Sequence, residues 1–115
     1  MSTPEDHLPL HPLEFRILMA LLDGASYGTH IVEAIEAQEE GRKLYPANLY
    51  RRIRSLLADG LIQEAPAPEG ADPRRTYLRL TPEGRAVAAA EARRLRDLVA
   101  AAARHRLIGG ADGGG

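Results

Sequence analysis

The sequence contains no cysteine and no tryptophan. Without cysteine there are no disulfides, no thiolate metal site and no cysteine nucleophile. Aromatic residues are scarce, one phenylalanine (Phe15) and four tyrosines in 115 residues, so no aromatic stacking pocket is evident. No apolar run approaches the length of a membrane span, and no short apolar stretch follows a basic N-terminus. A cytoplasmic protein is therefore expected, rather than a membrane-bound or secreted one. The four histidines are not accompanied by a cluster of carboxylates or further histidines. His7 and His11 are four apart, but Pro9 interrupts the helix that a metal-binding pair requires. No nucleophile, acid–base pair or phosphate loop is visible. An enzyme is not expected, nor is a metal or a cofactor.

What remains is the composition of one globular domain. Hydrophobic residues make up 44% and charged residues 27%, and a chain of this length supports a single core of moderate size. The net charge of −1 conceals an uneven distribution. Residues 1–41 carry eight acids against Arg16 alone; residues 42–85 carry nine bases against five acids; residues 86–115 carry five bases against three acids. Arg42, Lys43, Arg51, Arg52 and Arg54 all precede the first acid of the middle third, Asp59. A concentrated positive stretch in a nearly neutral chain points to an anionic partner such as DNA or RNA; the plain alternative is a solvated helix face.

Periodicity and punctuation divide the chain further. A first helix is expected from about Pro12 to Asp23, opened by proline and closed at Gly24. Leu13, Ile17, Ala20 and Leu21 share one of its faces, and Phe15, Leu18, Met19 and Leu22 lie on the other. A helix apolar nearly all round must be covered on both sides. Ser26 is a candidate N-cap for a second helix, Tyr27 to Gln38, with Ile31, Val32 and Ile35 turned inward. After a polar loop, Glu39–Leu44, a third helix runs from Pro46 to about Asp59 and ends at Gly60. Leu49, Ile53, Leu56 and Leu57 form its core stripe at i, i+4, i+7 and i+8. Asn48, Arg51 and Arg54 project from its far side, with Tyr50 and Arg52 at the edges. Two short strands, Leu61–Ala67 and Arg75–Leu80, flank a turn rich in proline and glycine and read as a β-hairpin. Alternation in the second places Thr76, Leu78 and Leu80 on one side and Arg75, Tyr77 and Arg79 on the other. Thr81-Pro82-Glu83 then reads as N-cap, first-turn proline and dipole-favourable acid for a long helix to Leu107. A glycine-rich tail completes the chain.

Three helices followed by a β-hairpin, with bases on the third helix and in the hairpin, is the layout of a winged helix-turn-helix. The expected fold class is mainly α with a small β-hairpin. The expected division is a DNA-binding domain over 1–81, a dimerisation helix over 82–107 and a flexible tail over 108–115. In such a motif the third helix enters the major groove and its N-terminal residues read base edges.

The motifs also resemble a known family. Leu44-Tyr45-Pro46-Ala47-Asn48-Leu49-Tyr50, closed by Asp59-Gly60-Leu61-Ile62, is similar to the recognition helix of PadR-type transcriptional regulators. Ser26-Tyr27-Gly28 with Ile31 resembles that family's lead into its second helix. Arg75-Thr76-Tyr77-Leu78-Arg79-Leu80-Thr81-Pro82-Glu83-Gly84 resembles its wing strand. The resemblance spans about residues 8–107. Two positions depart: Tyr45 stands where the family often has a small hydroxyl residue, and Asn48 where a small or hydroxyl side chain is commoner. The single C-terminal helix resembles the short subclass, in which terminal helices pair two subunits and some members bind drug-like effectors near the interface.

The resemblance implies a homodimeric regulator, expected to be a repressor of an inverted-repeat operator in double-stranded DNA, with a small-molecule effector at the dimer interface. Asn48, Tyr50 and Arg51 are the base-proximal candidates; amide and guanidinium groups match adenine and guanine edges. Tyr27, Arg52, Arg54, Arg74 and Arg75 are the phosphate candidates. Phe15, Met19, Leu22, Leu95, Leu98, Val99 and Ala102 are the candidates for the dimer interface, because the chain has no other domain to cover them. An alternative remains at this point: a winged-helix protein-interaction adaptor that does not use the shape on DNA.

Overall fold

The computed structural model describes residues 3–38 and 46–109. The expected loop Glu39–Leu44 with Arg42 and Lys43, Tyr45, and the tail beyond Gly109 lie outside the described residues. A short 3-10 turn, Pro4–His7, leads into α1 (Pro12–Ala20), β1 (Ser26–Tyr27), α2 (Gly28–Gln38), α3 (Pro46–Ala58), β2 (Ile62–Ala65), β3 (Tyr77–Leu80) and α4 (Pro82–Arg104). The chain is mainly helical with a small antiparallel sheet, a winged helix-turn-helix followed by a long helix.

Each helix begins where local chemistry satisfies its free N–H groups. At α1, the His11 ring nitrogen Nδ1 accepts from the Leu13 N–H (3.0 Å) and Pro12 occupies the first turn. At α4, the Thr81 hydroxyl accepts from the Gly84 N–H (2.9 Å). α3 ends as its sequence requires. The Leu61 N–H donates to the Leu56 carbonyl (3.0 Å) and the Gly60 N–H to Leu57 (3.1 Å). Gly60 sits between them at φ 74°, a left-handed backbone that glycine adopts without a Cβ penalty.

The core lies between α1, α2, α3 and the first half of α4. Leu49 and Leu56 of α3 are 0% and 1% exposed, with Ile53 beside them. Ile31 and Ile35 of α2 join them, and Val87 and Ala88 of α4 close the cluster. Full burial of an aliphatic side chain of this size contributes about 1.5–3 kcal/mol.

Four expectations are corrected. Leu18, placed on the outer face of α1 by its wheel, is fully buried in the core with Ile17 and Leu21. α4 packs along α1, so the face that appeared to need an external cover is covered in part by the chain itself. The hairpin β2–β3 forms as expected and carries a third strand, in the order β1-β3-β2. Ser26 is accordingly a strand residue, paired with Leu78 and buried; its hydroxyl bonds to His30 Nδ1 at 2.6 Å. A two-residue strand lies below the length at which alternation is visible. Tyr77 is buried rather than sharing an outer face with Arg75 and Arg79, because Tyr27 covers it across the strand pair.

The corner between α3, β2 and α4 holds the two halves together. The Thr81 hydroxyl donates to the Gly60 carbonyl (2.7 Å) while accepting from Gly84, and the Thr81 N–H donates to the Leu61 carbonyl (3.1 Å). Gly84 lies directly against the Leu61 carbonyl, leaving no space for a Cβ. The Thr-Pro-Glu-Gly sequence is thus the fitting by which α4 is bolted to the end of α3.

Candidate nucleic-acid interface

α3 supplies one positive face. Its inner stripe is buried, and Asn48, Tyr50, Arg51 and Arg54 are exposed on the other side. The helix contains three arginines and no acid between Pro46 and Ala58. Arg51 and Arg54 make no ion pair among the described residues. Arg52, expected to reach phosphate, is placed differently. It is half-buried and its Nη1 stands 4.0 Å from Glu14 Oε2 on α1. That contact ties the base of α3 to α1 and leaves Arg52 less free than its neighbours.

Tyr50 lies across the first residue of α2. An ideal Cβ on Gly28 would stand 2.8 Å from the Tyr50 hydroxyl and 2.9 Å from its Cε1. Only glycine lets the ring rest there. Tyr50 remains 44% exposed.

The sheet brings the wing to the same place. Tyr27, in β1, meets Tyr77 edge-on at 5.3 Å between ring centres and 69° between planes. His30 is tilted against Tyr27 at 5.7 Å. The guanidinium carbon of Arg75 sits 4.1 Å above the Tyr27 ring, within cation–π range. A groove of about 400 Å³ results, lined by Tyr27, Gly28, Tyr50, Arg74, Arg75 and Thr76, with Glu64 as its acid. Tyr27, Tyr50, Arg74 and Arg75, far apart in the sequence, are brought together at it.

Arg74, at the wing tip, is held by Asp72. Its side chain is 89% exposed, yet Nε and Nη2 each donate to an Asp72 carboxylate oxygen at 3.2 Å, and its N–H donates to Oδ1 at 2.9 Å. These bonds, that of the side chain first, hold the Asp72 carboxyl below the usual carboxylate range. Asp72, Gly28, His30 and Glu14 escaped sequence reasoning. The Asp-Pro-Arg turn did carry a signal, since aspartate at a turn bonds its own backbone two residues on. Nothing local announced that Gly28 sits under Tyr50.

The residues expected at a dimer interface form a second region. Phe15 and Met19 are half-buried against α4, and Leu22 is 38% exposed. With Arg85, Ala88, Ala89 and Ala92 they line a mostly apolar groove of about 220 Å³. Leu95 and Ala102 are half-buried, while Leu98 and Val99 stand 58% and 54% exposed on the outer half of α4. Beside them, Glu91 is 2% exposed. Arg94 donates to both of its oxygens, at 2.6 and 2.9 Å, and that carboxylate keeps the guanidinium still more firmly protonated. No group of three or more metal-ligating side chains occurs among the described residues, and none of their helices is long and apolar enough to cross a membrane.

Residues 17–90, from α1 into α4, match the transcriptional regulator PadR-like family. The chain belongs to that family. Among solved structures, this PadR-like chain is similar to a transcriptional regulator from Clostridium thermocellum, at 29% identity over 73% of this chain and 80% of the other, with a TM-score of 0.64. It is similar to RosR of H. salinarum at 29% identity, covering 89% and 90% of the two chains, with a TM-score of 0.65. A PadR family transcription regulator from Clostridium difficile shares the fold at 21% identity, 83% and 98% coverage and a TM-score of 0.69. No curated protein matches the chain. The PadR-like match takes in the start of α2, α3 and the wing, the three elements that meet at the groove.

Proposed function

We propose that this PadR-like regulator is a cytoplasmic, homodimeric repressor that binds an inverted-repeat operator in double-stranded DNA, without catalytic activity. The observation that carries the reading is the outer face of α3: Arg51 and Arg54 are exposed and unpaired among the described residues, on a helix whose inner stripe is anchored. A protein-interaction adaptor has no need for arginines there. Asn48 and Arg51 are assigned to base edges with Tyr50 beside them, and Arg54 to phosphate. Tyr27, Arg74 and Arg75 form the wing's phosphate contact, with Arg52 as an inner support. Leu98 and Val99, adjacent and 58% and 54% exposed on α4, support the dimer, since a contiguous exposed aliphatic patch marks an interaction site. A two-fold pair would set two recognition helices about 34 Å apart, one DNA turn. A small-molecule effector would act at the interface between the subunits.

Fluorescence-polarisation titration on fragments of the protein's own promoter region tests the reading. Affinity is expected to fall by about 0.9 log unit per log unit of salt for each phosphate neutralised. Absence of binding to every fragment at low salt overturns it in favour of the adaptor. Sedimentation equilibrium tests the dimer, and Leu95→Asp with Leu98→Asp is expected to abolish both dimer and operator binding.

A further inference from the structure

Arg79 lies on the side of the sheet away from the groove of Tyr27 and Tyr50. Glu64 and Leu78, paired across β2 and β3, both line that groove. The next pair, Gln63 and Arg79, belongs to the opposite face, because successive side chains of a strand alternate. With the Gln63 amide turned so that its oxygen meets the guanidinium, Nε and Nη2 of Arg79 donate to it at 2.6 and 2.7 Å. Arg85, in the first turn of α4, donates from Nη2 to the Leu22 carbonyl at 3.4 Å. Both acceptors are neutral and both arginines are exposed. Neither makes an ion pair among the described residues. Each fork carries more N–H donors than these bonds use, so both are positioned without being neutralised.

The two arginines meet at one recess. It is open, holds about 460 Å³, and lies where the end of α1, the strands β2 and β3 and the start of α4 come together. Ala65, Pro66 and Leu80 give it an apolar floor, and no acid lines it among the described residues. Asp23, in the turn beside it, is exposed and not part of the lining.

We propose that this recess is a docking site for an acidic peptide segment of another protein. Carboxylates of the segment would pair with Arg79 and Arg85, and an apolar side chain between them would cover Leu80 and Pro66. A duplex seated against α3 and the groove of Tyr27 and Tyr50 lies on the other side of the sheet, so it leaves these arginines accessible. An inorganic anion would use the guanidiniums and leave the apolar floor in water. The lining has no aromatic ring to stack a nucleobase, which a single-stranded nucleic acid would call for. Guanidinium forks beside apolar surface are what protein interfaces are rich in, and carboxylates are their natural match. The inference goes beyond the DNA-binding reading and does not depend on it.

Fluorescence polarisation tests it on the full chain with the fluorescein-labelled peptide Gly-Asp-Leu-Glu-Asp-Leu-Gly. The neutral control is Gly-Asn-Leu-Gln-Asn-Leu-Gly under the same label. The acidic peptide is expected to bind about tenfold tighter than the control, or more, and to weaken as salt rises. Arg79→Gln/Arg85→Gln is expected to remove that advantage, with unchanged circular dichroism because both side chains are exposed. Leu22 and Arg85 also border the α1–α4 groove, so sedimentation of the variant is followed too and is expected to match the native protein. A saturating promoter fragment is expected to leave peptide affinity within about twofold. Equal binding of the two peptides, no binding of the acidic one at low salt, or an unaffected double variant overturns the proposal. Displacement of the peptide by the promoter fragment puts the arginines on DNA and overturns it. Displacement by millimolar inorganic phosphate makes the recess a small-anion site and overturns it as well. Peptide binding by a protein that binds no promoter fragment leaves the docking site standing and fells the DNA-binding reading alone.

Discussion

Arg75 is stacked on Tyr27, its guanidinium carbon 4.1 Å from the ring centre. The contact joins the strand that leads back from the wing to the strand that leads into α2. It fixes one of the wing's two adjacent arginines, while Arg74 is fixed by Asp72. The wing's two adjacent bases are therefore each held in place, by different chemistry.

A cation–π contact at an exposed site is worth about 0.5–1 kcal/mol. Tyr27→Leu is accordingly expected to weaken DNA binding about two- to fivefold, alike on operator and random sequence. Tyr27→Phe keeps the ring and is expected to remain within about twofold of the native protein. Polarisation titrations of both variants decide the matter; an equal loss in the two would place the function in the hydroxyl instead.

Removing Asp72 releases Arg74 and deletes a negative charge at the wing tip. Asp72→Ala is expected to raise affinity for all DNA and to steepen the salt slope by up to about one. Because the Asp72 carboxyl lies below the usual range, its ionised form prevails at any pH above that range, and the pairing is lost only as pH falls through the lowered value. The native protein's wing is therefore expected to behave alike at pH 6 and pH 8. Weaker binding by Asp72→Ala would show that the pairing holds Arg74 in its binding pose.

Arg51 and Arg74 separate reading from anchoring. Arg51→Ala is expected to cost about 1–3 kcal/mol on the operator and to relax one base preference. Arg74→Ala is expected to weaken all sequences alike and to lower the salt slope by about one. Titration of each variant on operator and scrambled DNA checks this, and equal losses for Arg51→Ala on both would move that residue to phosphate.

Two glycines are expected to respond oppositely to alanine. At Gly28 the obstacle is the end of the Tyr50 side chain, which can swing away. Gly28→Ala should leave stability within about 0.5 kcal/mol and lower DNA affinity several-fold by displacing Tyr50. At Gly84 the obstacle is the Leu61 carbonyl, which cannot move without the backbone. Gly84→Ala should cost about 1–3 kcal/mol with a corresponding drop in thermal midpoint. Thermal denaturation beside DNA titration resolves the pair.

Much of the fold was legible because its signals are local and periodic. The stripe Leu49, Ile53, Leu56, the stop at Gly60 and the cap at Thr81 each follow from a few adjacent residues, and each stands where expected. The failures share a different cause. Leu18 is buried by tertiary packing of the other elements around α1, which its own wheel does not announce. β1 is too short to alternate and exists because β3 offers it an edge. The exposed bases of α3 followed from its stripe; the Arg52–Glu14 and Tyr50–Gly28 contacts did not, because each joins residues more than twenty apart.

The position of β3 at the centre of the sheet has a mechanical consequence. The strand that leaves the wing is hydrogen-bonded on one side to β2, rooted at the end of α3, and on the other to β1, which opens directly into α2. Among the described residues, the wing, α3 and α2 are thus tied to one sheet as a stiff plate. A signal that releases such a plate from its operator has little to bend within it. In the proposed homodimer, control would then reside in the calliper opening between two such units, with α4 setting its jaw angle.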